Sequence, residues 1–312
     1  MKKIFYVVTV LVFLVVFVGC TQGQAATQAY LDDSNSIIIT HASGQTRVPL
    51  NPSRVAVFDM GILDTLDYLG LADNVLGTAT ASLPSYLSHL AHLPSLGTLH
   101  IPDVELLAEL APDLIIISGR ARPMFDELST LAPTIDLASN NDDFLNQFAI
   151  NNRYMGQIFG LESEVNQALD AINARIDTIY AQNSQSNKRA LIILHNEGLL
   201  RGFGVNSRFG IIHDVLGITA ADPHLEVVNH GVLLSNEYIV ELNPDILFVL
   251  DRNIATGGDA APITDIKNEL IQLTNAYQTQ NIHFLDSELW YLAQGGLQGF
   301  GMQLDEIYRV TE

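Results

Sequence analysis

The sequence predicts an α/β protein of two related lobes, each built on a mainly parallel sheet, joined by one long helix and enclosing a ligand cleft between them. Three observations carry that expectation. Short apolar runs bounded by turn residues alternate with helical patterns, one helix–turn–strand segment occurs twice, and a proline-free stretch at mid-chain keeps helical spacing throughout.

In chain order, Lys2 and Lys3 precede the unbroken apolar run Ile4 to Val18. That run is short for a membrane span of about 20 residues but suits a secretory signal, expected over residues 1–19. It ends in Phe17-Val18-Gly19-Cys20, which resembles a bacterial lipobox with Phe17 in place of the usual Leu, so a lipid is expected on Cys20. Cleavage near Ala25 or Ala29, or an uncut signal acting as the anchor, is the alternative. Residues 20–35 are small and polar and read as a tether. The N-terminal lobe is expected over 36–150, with strands at Ile37 to Thr40, Val55 to Phe58 and Leu114 to Ile117, the first closing an antiparallel hairpin with Thr46 to Leu50 through Ala42 to Gln45. Residues 151–182 carry apolar side chains at helical spacing without a proline and form the linking helix, roughly 45 Å long at about 1.5 Å per residue. The C-terminal lobe follows over 183–312, with strands at Leu191 to Leu194, Ile246 to Leu250 and Ile282 to Leu285.

The repeat pairs Glu109-Leu110-Ala111-Pro112-Asp113-Leu114-Ile115-Ile116-Ile117 with Glu241-Leu242-Asn243-Pro244-Asp245-Ile246-Leu247-Phe248-Val249, an offset of 132 residues. Each copy reads as a helix end, a Pro-Asp turn and a buried strand. A weaker pair, Asp67 to Leu71 and Asp214 to Ile218, ends a helix at glycine. Arg120 and Arg252 stand at matching positions just past the carboxyl ends of the repeated strands, the edge at which open α/β sheets bind ligands. Facing each other across a cleft, they would converge on one ligand. Arg122 competes with Arg120, and repeat equivalence favours Arg120.

Charge narrows the ligand class. With 15 Lys+Arg against 35 Asp+Glu the chain carries net charge -20, which argues against nucleic acid and anionic membrane surfaces, since both need a basic face. Cys20 is the only cysteine, so disulfide frameworks and thiolate clusters are excluded. Past residue 19 eleven of the basic residues are Arg and only Lys188 and Lys267 are Lys. Planar guanidinium forks suit anion recognition, although compositional drift explains the bias equally well.

Several segments, in order, resemble a known family: Val57-Phe58-Asp59-Met60-Gly61 with Asp64-Thr65-Leu66, Ser118-Gly119-Arg120 after its strand, Phe203 to Gly210, Asn229-His230-Gly231, Val249 to Asn253, and Trp290-Tyr291-Leu292. Over about residues 36 to 310 the sequence resembles the siderophore-binding proteins of bacterial ABC importers, and within them the branch that takes ferric catecholates. The resemblance implies a non-enzymatic monomer without intrinsic cofactor, exported to the periplasm or held at the membrane by its lipid, that delivers a ferric siderophore to an inner-membrane ABC permease. It implies an arginine triad of Arg120, Arg208 and Arg252 around the anionic complex. It also implies that His230 and Tyr291 ligate the Fe³⁺ directly, and that one glutamate per lobe docks into the permease. Glu105 and Glu237, each seven residues before a repeat proline, fit that last role, with Asp103 and Ser235 as N-caps.

Plain readings stand beside these. Glu105 and Glu237 would also stabilise helix N-termini, His230 would also bond within its loop, and Tyr291 and Trp290 would also be core aromatics. Arg201 is a further cleft residue that would exchange with Arg208. His195 would face the cleft or cap a turn, and His89 and His92 read as solvated. Haem and cobalamin are the alternative ligands within the same fold. An exported α/β hydrolase is a distant alternative, because no serine in a sharp strand-to-helix turn follows a strand.

Overall fold

The computed structural model describes residues 35–311, so the expected signal peptide, Cys20 and almost all of the tether lie outside the described residues. Residues 35–311 fall within one compact unit. In chain order the strands are β1 (Ser36–His41), β2 (Gly44–Pro49), β3 (Val55–Val57), β4 (Val75–Thr78), β5 (Leu114–Ile117), β6 (Thr134–Asp136), β7 (Arg189–Asn196), β8 (Leu199–Phe203), β9 (Thr219–Ala220), β10 (Val232–Leu234), β11 (Ile246–Asp251) and β12 (Ile282–Phe284). The N-terminal lobe holds an all-parallel sheet in the order β4-β3-β5-β6, beside the β1-β2 hairpin. The C-terminal lobe holds a six-stranded sheet, β10-β8-β7-β11-β12 with β9 added on β7, in which β8 pairs antiparallel with both β7 and β10 and the other neighbours pair parallel.

Side-chain alternation sorts each central strand onto two cores. Leu114 and Ile116 of β5 join the core that contains Leu63 and Leu66, while Ile115 and Ile117 face the one that contains Phe58 and Leu128. Ile246, Phe248 and Leu250 of β11 face a core with Phe300, and Leu247 and Val249 face one with Ile239. Both central strands are buried on both faces, which is why they read as continuous apolar runs.

The repeat is real down to its hydrogen bonds. Helices Val104–Leu110 and Asn236–Leu242 are capped by Asp103 and Ser235, whose side chains accept from Leu106 N at 3.0 Å and Tyr238 N at 3.2 Å. Each ends in a left-handed residue, Ala111 at φ 46° and Asn243 at φ 45°, ahead of the Pro-Asp turn. Asp113 N donates to Arg54 O and Asp245 N to Arg189 O, both at 2.8 Å. The same two arginines cap the helix ends: Arg54 donates to Leu110 O and Ala111 O, and Arg189 to Leu242 O and Asn243 O.

Three features differ from the sequence reading. The linking helix expected over 151–182 is two helices, Phe144–Phe159 and Glu162–Asn183, broken at Gly160, which adopts φ 66° and caps the first helix. The apolar spacing runs through the break because the second helix starts within two residues and packs close, with a Cβ on Gly156 only 3.1 Å from Glu162 Cα. The hairpin turn is the two residues Ala42-Ser43, since His41 pairs with Gly44. The boundary near residue 150 is crossed by aromatic packing, because Phe144 and Phe148 pack edge-on against Phe300 at 5.4 and 4.9 Å between ring centroids.

The C-terminal helix Leu297–Thr311 also bolts the lobes together. Buried Asp64 of helix Met60–Tyr68 accepts from Gln298 N at 2.9 Å, Gly299 N at 2.7 Å and Tyr86 Oη at 2.7 Å. Thr65 Oγ1 accepts from Leu297 N and donates to Asn152 Oδ1, and Asn152 Nδ2 donates to Gly295 O. Gly296 is there because a Cβ would come within 2.4 Å of the Asp64 carboxylate.

Candidate ligand-binding site

An open cleft of about 550 Å³ is lined from the N-terminal lobe by Asp59, His100, Ser118, Arg120 and Arg122, and from the C-terminal side by Arg208, Asn229, His230, Tyr291 and Gln294. Arg120 follows β5 in a turn closed by Ala121 N donating to Ser118 O, and Arg252 follows β11 as the first residue of a short helix capped by Asp251. Arg208 sits in the turn before helix Ile211–Asp214, a turn held by Asn206 N donating to Asp214 Oδ2 at 2.7 Å. Tyr291 lies on helix Ser287–Leu292, capped by Asp286, and packs against the main cores of both lobes.

These four side chains meet. Arg120 and Arg208 both donate to the Tyr291 carbonyl, at 2.8 and 2.5 Å, and Arg252 Nε donates to the Tyr291 hydroxyl at 3.2 Å. The three guanidinium carbons lie 5.7, 4.1 and 5.9 Å from the ring centroid, within cation–π range. Among the described residues none of the three pairs with a carboxylate; a backbone carbonyl, a phenol and the Asn196 amide receive their protons. Burial pushes the Arg208 guanidinium down to about 10, and the charges of Arg120 and Arg252 push the same way. Burial alone would raise the Tyr291 phenol, but the Arg252 hydrogen bond and the charges of Arg208 and Arg252 outweigh it and hold the group below its ordinary value. The result is a compact cationic centre around an acidified phenol, in an otherwise acidic chain.

The competing residues are occupied. Arg122 Nε donates to buried Asp136 at 2.5 Å, and Arg201 Nη1 reaches Gly231 O at 3.3 Å, so Arg201 braces the His230 loop. His230 is exposed on that loop and lines the cleft. Trp290 is a core residue, fully buried with Nε1 donating to Glu306 Oε2 at 2.6 Å. His195 is buried and bonds Asp265 at 3.2 Å, and it is not among the residues lining the cleft. His89 Nε2 donates to Asp67 Oδ1 at 2.9 Å, and no cluster of His, Cys, Asp and Glu able to hold a bare metal occurs among the described residues. Glu105 and Glu237 are both exposed in the first turns of the repeated helices.

Two cleft residues escaped the sequence reading. Asp59 follows β3, a parallel strand whose carboxyl end lies at the cleft, so the strand-end rule that found Arg120 applies to it as well. Burial raises its carboxyl, opposed by hydrogen bonds from Ile62 N and Ser118 and by the Arg120 charge. His100 stands on the loop of residues 97–102, whose 132-residue counterpart is 229–234, but its own partner in that offset is Val232, so repeat equivalence gives no signal for it.

The model of a family described as periplasmic binding protein matches residues 55–289. The chain is 37% identical to the petrobactin-binding protein YclQ of Bacillus subtilis (strain 168) over 98% of both chains, and its fold matches the crystal structure of that protein with a TM-score of 0.87 over 89% of this chain and 99% of the other. It is 30% identical to the ferric-anguibactin-binding protein FatB of Vibrio anguillarum (strain ATCC 68554 / 775), covering 95% and 94% of the two chains. The structure of the periplasmic catecholate-siderophore binding protein VctP of Vibrio cholerae matches with a TM-score of 0.83 at 31% identity, over 88% of this chain and 99% of that one.

Proposed function

The chain belongs to the periplasmic binding protein family, and from that premise we propose that it binds a ferric catecholate siderophore outside the cytoplasm and hands it to an ABC permease. The observation that carries the reading is the convergence of Arg120, Arg208 and Arg252 on Tyr291 without a carboxylate partner. Three guanidinium groups repel bare Fe³⁺, so iron enters only inside an anionic chelate. A tris-catecholate complex of Fe³⁺ carries three negative charges, which three forks neutralise while bonding its oxygens. The names of the relatives support the same class of cargo: petrobactin, ferric anguibactin and catecholate siderophores.

Tyr291 and His230 supply ligands that a hard ferric ion accepts, an acidified phenol oxygen and an imidazole nitrogen. In this reading they complete the coordination of a tetradentate siderophore, which leaves two iron positions open. The protein works by binding and release, as a monomer, with no resident cofactor, and Cys20 carries the lipid that keeps it at the membrane.

Docking to the permease uses Glu105 and Glu237. Both are exposed at matched positions, and the same 132-residue offset pairs Ile101, 67% exposed, with Leu233, 58% exposed. Each lobe therefore presents a carboxylate with an apolar residue four positions before it, a pseudo-twofold pattern suited to a twofold-symmetric permease with basic sockets.

The test is a titration of purified protein with ferric complexes of bis- and tris-catechols, iron-free catechols and ferric hydroxamates, followed by quenching of Trp290 emission. Saturable binding confined to the ferric catecholates is the expected outcome. Equal response to ferric hydroxamates, or none to any ferric complex, would refute the assignment.

A further inference from the structure

His100 is held at the tip of a rigid N-lobe turn. Thr98 N donates to Ile101 O at 3.0 Å, Thr98 Oγ1 accepts from His100 N at 3.3 Å and Ile101 N at 3.0 Å, and Gly97 pairs with Pro102 across the base. Gly97 takes φ 102°, and a Cβ there would lie 2.6 Å from Ile101 O, so the turn requires glycine at this position. The turn leads directly into Asp103, the cap of helix Val104–Leu110, which anchors it to the lobe. Its tip presents the exposed imidazole at the lining of the cleft.

The groups around that imidazole are mostly cationic. Arg120 and Arg122 line the same cleft from the N-terminal lobe, Arg122 already paired with Asp136, and Asp59 is the one carboxylate among the lining residues there. Arg208, His230 and Tyr291 line it from the C-terminal side, and the charge of Arg252 reaches the ring from beyond the lining. Asp103, the nearest acid on its own loop, is engaged by Leu106 N. Burial, then the charges of Arg120 and Arg252, hold His100 below its ordinary value, so the empty cleft keeps it neutral.

We propose that His100 is a ligand-sensing contact of the cleft: it takes up a proton when an anionic ferric chelate arrives and donates a charge-assisted hydrogen bond to it, so that the site gains a fourth cation only when a trianion is present. This rests on the siderophore reading above. Arrival of a trianionic complex reverses the field of the arginines at the ring, and a hydrogen bond to a ligand oxygen favours the charged imidazole. The proton comes from bulk solvent, and no bond other than N–H is made. A permanently charged residue at this position would add to the self-repulsion of the empty site, whereas a histidine adds its charge with the ligand.

The test uses a ferric complex of a hexadentate tris-catechol amide, which leaves no iron position for Tyr291 or His230, so neither gives up a proton to the metal. Binding to the wild type, His100→Gln and His100→Lys is measured by calorimetry from pH 6 to 8 in buffers of different ionisation enthalpy. The wild type should take up more protons on binding than His100→Gln, by about half a proton near neutral pH, and its affinity should fall with rising pH correspondingly faster. His100→Lys should lose that excess slope and at pH 8 bind about three- to tenfold tighter than His100→Gln. Equal proton counts for wild type and His100→Gln, or His100→Lys binding no tighter than His100→Gln at pH 8, would overturn the inference while the siderophore reading stands. A wild type that binds no ferric catecholate at all would overturn that reading and this inference together.

Discussion

Replacing Arg208 by methionine should stabilise the empty protein and weaken the complex. The guanidinium is pushed down from its ordinary value to about 10, with burial as the leading cause and Arg120 repulsion next. At about 1.4 kcal/mol for each tenfold change in the proton equilibrium, keeping this charge costs the folded state about 3 kcal/mol. Against that stand the bond to the Tyr291 carbonyl and the stacking at 4.1 Å on its ring, together about 2 kcal/mol. Methionine retains the apolar stem and removes the charge, leaving a net gain near 1 kcal/mol, or roughly 1.5 °C in melting temperature for a chain of this size. The complex with a ferric tris-catechol should weaken by about 1.5 to 3 kcal/mol, the value of a charge-assisted hydrogen bond. Calorimetric melting of the ligand-free variant and a fluorescence titration supply the two numbers. A loss of stability alongside the loss of affinity would show that Arg208 is scaffolding and refute the reasoning.

Tyr291→Phe should shift the charge-transfer absorption of a bound tetradentate ferric complex and weaken it more than a hexadentate one; an unchanged spectrum would remove iron ligation from Tyr291. Glu105→Ala with Glu237→Ala should abolish iron uptake by cells while siderophore affinity is retained, and Ile101→Asp with Leu233→Asp should lower uptake in the same way; normal uptake would leave the glutamates with helix capping alone. Asp64 gives a pH dependence. Burial raises its carboxyl from 3.8 to about 6, so between those values the folded state holds a proton that the unfolded chain has released, and stability from this group falls as pH rises, by about 3 kcal/mol in all above pH 6. Denaturant unfolding of Asp64→Asn should lack this part of the fall between pH 4 and 7, and parallel pH curves for variant and wild type would refute it.

The sequence made legible those parts of the fold whose chemistry is local. β5 and β11 announce themselves because a parallel strand buried on both faces is apolar at every position, and the Pro-Asp repeat is visible because both copies need the same turn. β4 and β6 pass unnoticed, being short and partly polar, with Thr78 Oγ1 donating to Val57 O and Asp136 held by Ser43 and Arg122. Gly160 looks harmless within a periodic apolar pattern, since a left-handed residue between two packed helices leaves the spacing of both undisturbed. The equivalence of Arg54 and Arg189 was hidden by a loop difference that shifts their offset to 135 residues, although both cap the same helix end. Arg120 and Arg252 were found by repeat equivalence, Arg208 and Tyr291 only by resemblance, because a turn residue and a helical tyrosine have no periodic signature of their own.

The way the empty site is held bears on how it releases its cargo. Arg120 belongs to one lobe and Arg208 to the other, yet both donate to a single carbonyl, that of Tyr291. In the empty cleft that carbonyl and the phenol stand in for the anion, satisfying guanidinium protons that would otherwise be buried without partners. An incoming chelate with more oxygens and full negative charge competes for those donors with little movement of the lobes. They are already fixed by Asp64 on the Gln298 and Gly299 amides, and by Thr65 and Asn152 on the Leu297 and Gly295 backbone. Release then requires no wide hinge. In the proposed cycle, loss of the chelate returns Tyr291 O to Arg120 and Arg208 as their alternative partner, so emptying the site leaves no buried guanidinium proton unsatisfied. The rigidity conferred by Asp64 and the low cost of emptying the site are therefore parts of one arrangement, in which the lobes are bolted behind the cleft and balanced at its mouth.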